Sequence, residues 1–376
     1  MLMRVIRKAA LAAASVAVVA GAGLSAAPSA WARPLAPSSF IGHFHHITTI
    51  ASTVPGNGDV NPYGIAVVRR SQGRLRRGNV LVSNFNDKAN LQGTGKTIVQ
   101  VSPGGRRTTF ARISAGRLPG ACPGGIGLTT ALVVVHGWVI VGSLPSATGM
   151  AAAAKAGCLI VLDSHGRVRE TISGHGINGP WDMTAVSRGR RAALFVTNVL
   201  NGTVAAAGKV VHGGTVLRLM VGFRGSRLPR LLSVTRIGSG FAEQTDATAF
   251  VLAPTGVGFS HGRLYVADTD ANRVTAIRHA LTRRTTAGTG HVVTSGGALN
   301  APLGLAIAPD GDVLTVNGAD GRIVETSPAG VQVAKRFLDR AGSPPGGGAL
   351  FGLAVAPHGA GVYYVDDVSN TLRVLR

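Results

Sequence analysis

Three stretches near the C-terminus decide how this chain reads: Ala253-Pro-Thr-Gly-Val-Gly-Phe259, Ala301-Pro-Leu-Gly-Leu-Ala-Ile307 and Ala349-Leu-Phe-Gly-Leu-Ala-Val355. Their central glycines, Gly256, Gly304 and Gly352, stand 48 residues apart each time. A turn and a second apolar run follow each one: Arg263-Leu-Tyr-Val-Ala-Asp268, Asp312-Val-Leu-Thr-Val-Asn317 and Val362-Tyr-Tyr-Val-Asp-Asp367. A third run follows in turn: Arg273-Val-Thr-Ala-Ile277, Arg322-Ile-Val-Glu-Thr326 and Leu372-Arg-Val-Leu375. Short β-rich runs bounded by Gly, Asn and Asp are strands rather than helices.

The same grammar returns upstream with longer inserts. Asn61-Pro-Tyr-Gly-Ile-Ala-Val67 leads to Asn79-Val-Leu-Val-Ser-Asn84 and Thr97-Ile-Val-Gln-Val101. Gly125-Ile-Gly-Leu128 leads through Leu132–Val135 and Trp138–Val141 to Cys158–Leu162, and Pro180–Val186 leads to Ala193–Asn198 and Thr215–Leu219. Six units of three or four strands predict an all-β, six-bladed β-propeller of mostly four-stranded blades. Composition agrees. With 45% hydrophobic residues the 376-residue chain is too apolar to be disordered, and 53 glycines are too many for helix interiors.

The segments Gly-x-Ala-hydrophobic and Tyr265-Val-Ala-Asp268-x-x-x-Asn272-Arg-Val274 resemble the NHL repeat family of six-bladed propellers. Val365 to Leu372 is a looser match, and the last three units carry the resemblance most strongly. It implies architecture rather than activity, since this fold hosts many functions. The innermost strand of a blade faces a crowded axis, which suits Gly64, Ala66, Ala185, Gly256, Gly258, Gly304, Ala306, Gly352 and Ala354. The last unit ends at Arg376 after three strands. The run Phe44-His-His-Ile-Thr-Thr-Ile50 is therefore expected to supply its outer strand and close the ring, with His43, His45 and His46 as ordinary strand surface.

Met1 to Ala32 reads as a secretory signal: Arg4, Arg7 and Lys8, then the apolar run Ala9–Leu24, then Ala30-Trp31-Ala32. Residues 33–376 would form the propeller, secreted or periplasmic, without a later stretch apolar enough to span a bilayer. The formal net charge is +22, and removing the three basic residues of the signal leaves +19. Cys122 and Cys158 fit a disulfide in an oxidising compartment.

Strand alternation sorts the connections. Those entering a first strand, or joining second to third, share a near mouth; the others share the far end. The inserts Ala111–Gly125, Ser143–Gly157, Leu200–Gly213 and Gly238–Pro254 fall on the near mouth, with Asp59, Asp87, Asp182, Glu243, Asp246, Asp268, Asp270, Asp320, Asp366 and Asp367. The far end collects Arg69, Arg70, Arg74, Arg76, Arg77, Arg188, Arg190 and Arg191.

These readings predict a module that binds a small molecule, glycan or protein at an acidic, loop-rich near mouth. Tyr63, Trp181, Asp182, Asp246, Asn300 and Phe351 are the candidate ligand-binding residues. Asp182 and Asp246 are the candidate ligands for a divalent cation such as calcium, a hard ion that prefers oxygen donors. The alternative is a metal-dependent enzyme. Asn178-Gly-Pro-Trp181 resembles the Glu-Gly-Pro-x-Trp start of the calcium-dependent lactonase family, but has Asn178 in place of the metal-binding Glu and lies in the third unit. For a histidine-based lyase of similar fold the candidates are His136, His175 and His291, although His136, His165, His261 and His358 each precede glycine, as turn residues do. The basic end suits an anionic cell-envelope polymer. Nothing interleaves aromatic and basic residues in the manner of a nucleic-acid surface.

Overall fold

The computed structural model describes residues 39–225 and 227–376, so the expected signal lies outside the described residues. Strand β1 (Ile47–Ser52) opens the described chain but belongs to its last sheet. The first blade is β2 (Val60–Val67), β3 (Val80–Asn86), β4 (Thr97–Val101) and β5 (Arg107–Arg112). The second is β6 (Leu128–Val135), β7 (Trp138–Ser143), β8 (Cys158–Leu162) and β9 (Val168–Ile172). The third has five strands: β10 (Gly179–Arg188), β11 (Arg191–Val199), β12 (Val211–Arg224), β13 (Arg227–Asp246) and β14 (Phe250–Leu252). The fourth is β15 (Pro254–Ser260), β16 (Arg263–Asp268), β17 (Arg273–Arg278) and β18 (His291–Ser295), and the fifth is β19 (Pro302–Ile307), β20 (Val313–Asn317), β21 (Arg322–Thr326) and β22 (Gln332–Phe337). The sixth is β23 (Leu350–Val355), β24 (Val362–Asp366) and β25 (Thr371–Leu375), completed by β1. The protein is a six-bladed β-propeller.

Its core is six apolar layers, one between each pair of neighbouring blades. Middle strands feed two layers at once. Leu264 and Val266 of β16 pack toward the third blade, whereas Tyr265 and Ala267 pack toward the fifth. Burial on both faces explains why these strands read as unbroken apolar runs, without polar alternation. The layer containing Val365 and Leu372 also holds Val80 and Val82 of the first blade, so the ring is closed.

The closing strand forms as expected. β1 runs antiparallel to β25, Ile47 opposite Leu375 and Ser52 opposite Thr371. It begins at Ile47, so His43, His45 and His46 are exposed but precede the strand instead of lying on its surface, His43 in a short 3-10 turn. The segment before β1 is anchored by the buried carboxylate of Glu325, which accepts from Ser39 Oγ at 2.7 Å, Phe40 N–H at 2.7 Å and Ile41 N–H at 2.9 Å.

One expected loop is largely strand. Gly238–Asp246 continues β13, and Phe250–Leu252 adds a fifth strand to it. Repeated register shifts between β12 and β13 let the long ribbon bend, as bulges do, so the glycines there do not end the ladder. Cys122 and Cys158 are disulfide-bonded, with Cα atoms 5.2 Å apart, and tie the near-mouth loop before β6 to β8 of the same blade.

Candidate functional site: the axial cavity

Each inner strand has a sheet neighbour on one side only, so six free backbone edges face the axis. All six shift register at the same level, between Pro62 and Gly64, Leu128 and Leu132, Pro180 and Met183, Pro254 and Val257, Pro302 and Leu305, and Leu350 and Leu353. A bulge re-aims the side chains it carries. Here it delivers Tyr63, Trp181 and Phe351 to the near-mouth side of the axis. The Tyr63 ring stacks on Phe351 at 4.0 Å and on Phe85 at 4.5 Å, and meets Trp181 edge-on at 5.8 Å. Phe250 of β14 packs against Phe85 at 5.4 Å. Tyr63 and Trp181 are 1% and 2% exposed, so this cluster is a plug.

Below the plug lies an axial cavity of about 390 Å³. Its walls are the second halves of the inner strands, from Trp181 and Phe351 down to Val67, Val134, Ala185, Phe259, Ile307 and Val355, with Arg69 at the far-end rim. The expected pocket at the acidic near mouth is therefore displaced: the cavity faces the basic end, and Asp182, expected at the near mouth, lines it below the plug because the β10 bulge sets it one residue past Trp181.

The level just below the plug is occupied by Gly64, Ala131, Asp182, Gly256, Gly304 and Gly352; Gly64 is itself the first residue paired again with its middle strand, and each of the other five immediately precedes that residue. Glycine is required at three of them because a Cβ on Gly256, Gly304 or Gly352 would overlap the carbonyl oxygen of Leu303, Phe351 or Tyr63 in the next blade. The crowding read from the sequence is real, but it comes from the adjacent blade's backbone rather than from the axis. Threonines bridge the same blade-to-blade gaps, Thr129 Oγ1 donating to Pro180 O and Thr197 Oγ1 to Thr255 O, both at 2.7 Å.

Asp182 is the exception in this small-residue ring. Its Oδ2 accepts from Val257 N–H at 2.9 Å on the free edge of the next blade. Asp182 is the one carboxylate among the residues lining the cavity. Burial pushes its carboxyl up to about 7, against the opposing pull of the Val257 and Met183 N–H groups. At neutral pH such a group can donate or accept a proton, or pair with a cationic ligand.

The other predicted residues lie elsewhere. Asp246 caps the β13–β14 turn, its Oδ1 accepting from Thr248 N–H at 2.7 Å and Ala249 N–H at 2.6 Å. Asn300 is exposed before β19, and neither residue lines the cavity with Asp182. His136, His175, His261 and His358 have φ of 51°, 53°, 47° and 60°, the left-handed conformation of turn residues. His291 is exposed on an outer strand. The one acidic group of metal-binding geometry among the described residues is Asp310, Asp312 and Glu325, with ligand atoms within 4.8 Å of one another. It lies at the far end of the fifth blade and was not read from the sequence. The Asp-Gly-Asp spacing of Asp310 and Asp312 looks like any turn, and Glu325 joins them only through the β20–β21 pairing.

Similar folds are known. A gluconolactonase from Xanthomonas campestris shares 14% identity over 88% of both chains with a TM-score of 0.54. A putative gluconolactonase shares 15% over 88% of this chain and 91% of its own, at 0.55. The calcium-binding protein regucalcin from Agrobacterium tumefaciens shares 11% over 87% and 93%, at 0.53. At these identities the likeness is one of fold. Neither a scan against protein-family models nor a search of curated protein sequences found a match, so the NHL-like pattern stands as a resemblance. Among the described residues, no helix is long and apolar enough to cross a membrane.

Proposed function

We propose that this is an exported binding module that takes a small amine or polyol into the axial cavity from the basic end, with Asp182 as the anchoring group. The observation that carries the reading is a single, partly exposed carboxylate set among apolar side chains and free strand edges. Unpaired edge N–H and C=O groups need partners, and a hydroxyl- or amine-bearing molecule supplies them along with a further donor for the Asp182 carboxylate. The 390 Å³ cavity falls within the ~300–1,000 Å³ of small-molecule sites. Trp181, in its wall, is a built-in reporter. Titration with a panel of small amines and polyols should quench or shift its fluorescence and raise the melting temperature for at least one member. Asp182→Asn should weaken that response at least tenfold. A panel without any response, or a response unchanged in Asp182→Asn, overturns the reading.

A second reading, lactonase- or lyase-like chemistry with a divalent cation, draws support from the fold of the gluconolactonases and regucalcin and from a carboxyl poised near neutrality at Asp182. It predicts chelator-sensitive turnover of a lactone panel that is lost in Asp182→Asn.

A further inference from the structure

We infer that the far end of the third blade is a docking groove for anionic lipid headgroups. Two hairpin ends meet there. In the first, the register sets Arg188 directly opposite Arg191; in the second it sets Arg224 opposite Arg227. Like charges directly opposed across an antiparallel pair repel. No carboxylate relieves them, because among the described residues the ion pairs involve Arg169, Arg273, Arg322 and Arg373 only. Phe223 N–H donates to Arg190 O at 2.8 Å and joins the two ends, so the arginines are presented on one framework.

The groove between them has a volume of about 940 Å³ and is lined by Arg190, Arg191, Arg224, Arg227 and Arg230 together with Leu228 and Leu232. Leu228, Arg230 and Leu232 of β13 all line this groove across the register shifts of the strand, and the leucines are 44% and 47% exposed. Guanidinium forks match phosphate oxygens in pairs, which accounts for the arginines. A soluble polyanion would leave the two leucines facing water. A phospholipid surface uses both, with phosphates on the arginines and apolar side chains in the headgroup–acyl boundary.

Vesicle co-sedimentation tests this with the protein as recovered from its host. Binding to vesicles of phosphatidylcholine mixed with phosphatidylglycerol should exceed binding to pure phosphatidylcholine and fall as salt rises. Arg224→Glu with Arg227→Glu should reduce it at least tenfold, whereas the charge-matched control Arg106→Glu with Arg107→Glu should change it less than threefold. Leu228→Ser with Leu232→Ser should weaken vesicle binding severalfold and leave retention on a polyphosphate resin unchanged. Equal losses in the two charge-reversal variants would mean that net charge alone acts. Retention on the resin without vesicle binding would assign the groove to a soluble anionic polymer. Either result overturns the inference, and neither bears on the cavity at Asp182.

Discussion

Gly304 shows how a single residue enforces the ring. A Cβ added to its Cα would overlap Phe351 O, which is backbone and cannot move aside. Gly304→Ala should therefore cost about 1–3 kcal/mol, the range for overpacking a tight site. Gly56→Ala, where nothing lies within 4 Å of the added carbon, should be near neutral. Urea denaturation of the two variants reads the difference, and equal midpoints would contradict the proposed blade-to-blade contact. Histidines make the complementary point. His136-Gly137 and His261-Gly262 close two-residue hairpins with positive φ at both positions, so their role is conformational.

Among the elements, the closing strand depends on a partner far away in sequence. Glu325 satisfies three donors from Ser39 to Ile41, and Arg336 Nε donates to Ile41 O at 2.9 Å. Removing the acceptor in Glu325→Ala leaves the buried Ile41 N–H unpaired, at a cost of ~1–3 kcal/mol, and frees its half-buried neighbours Ser39 and Phe40. Amide exchange should accelerate at least tenfold in β1 and along β25, with little change in blades one to four, as monitored by mass spectrometry. The disulfide acts within one blade. Replacing Cys122 and Cys158 by serine should lower stability by about 3–4 kcal/mol in the chain-entropy account of a 36-residue separation. A cost near zero in chemical denaturation would show that the near-mouth loop is held without it.

At the scale of the whole molecule, several buried or half-buried carboxyls have no ion-pair partner among the described residues. Burial raises Asp182, Glu243 and Asp367 to about 7 and Asp312 to about 6, with neighbouring acids adding to the shift at Asp367 and Asp312. A carboxyl whose folded pKa lies above its unfolded one holds more protons in the native state. Its contribution is full below the unfolded value near 3.8–4.5 and is lost as pH climbs through about 6–7. The melting temperature should fall between pH 5 and pH 8, and in Asp182→Asn it should fall less. A wild-type profile that rises over this range, or a parallel profile in the variant, would refute the assignment. The polarity expected from the chain order holds in outline. Near-mouth turns carry most of the acids and far-end turns carry Arg69 to Arg77 and Arg188 to Arg191.

The amino-acid order alone determined the number of blades, the three inner strands of each, the closing strand and the disulfide. Each of these follows from local periodicity, turn chemistry and a repeat that any one unit must share with its neighbours. The site is a different matter, because it is made where six units converge. Tyr63, Trp181 and Phe351 are legible as aromatic starts of inner strands. That they stack into a plug depends on six bulges at one level, which pairing partners decide and no single repeat reveals. Asp182 could be singled out as the only acid in a row of glycines and alanine, but only after the register had aligned those positions. Which end of the axis stays open was settled in three dimensions, since an aromatic ring fills space according to the blades around it rather than the residues beside it in the chain.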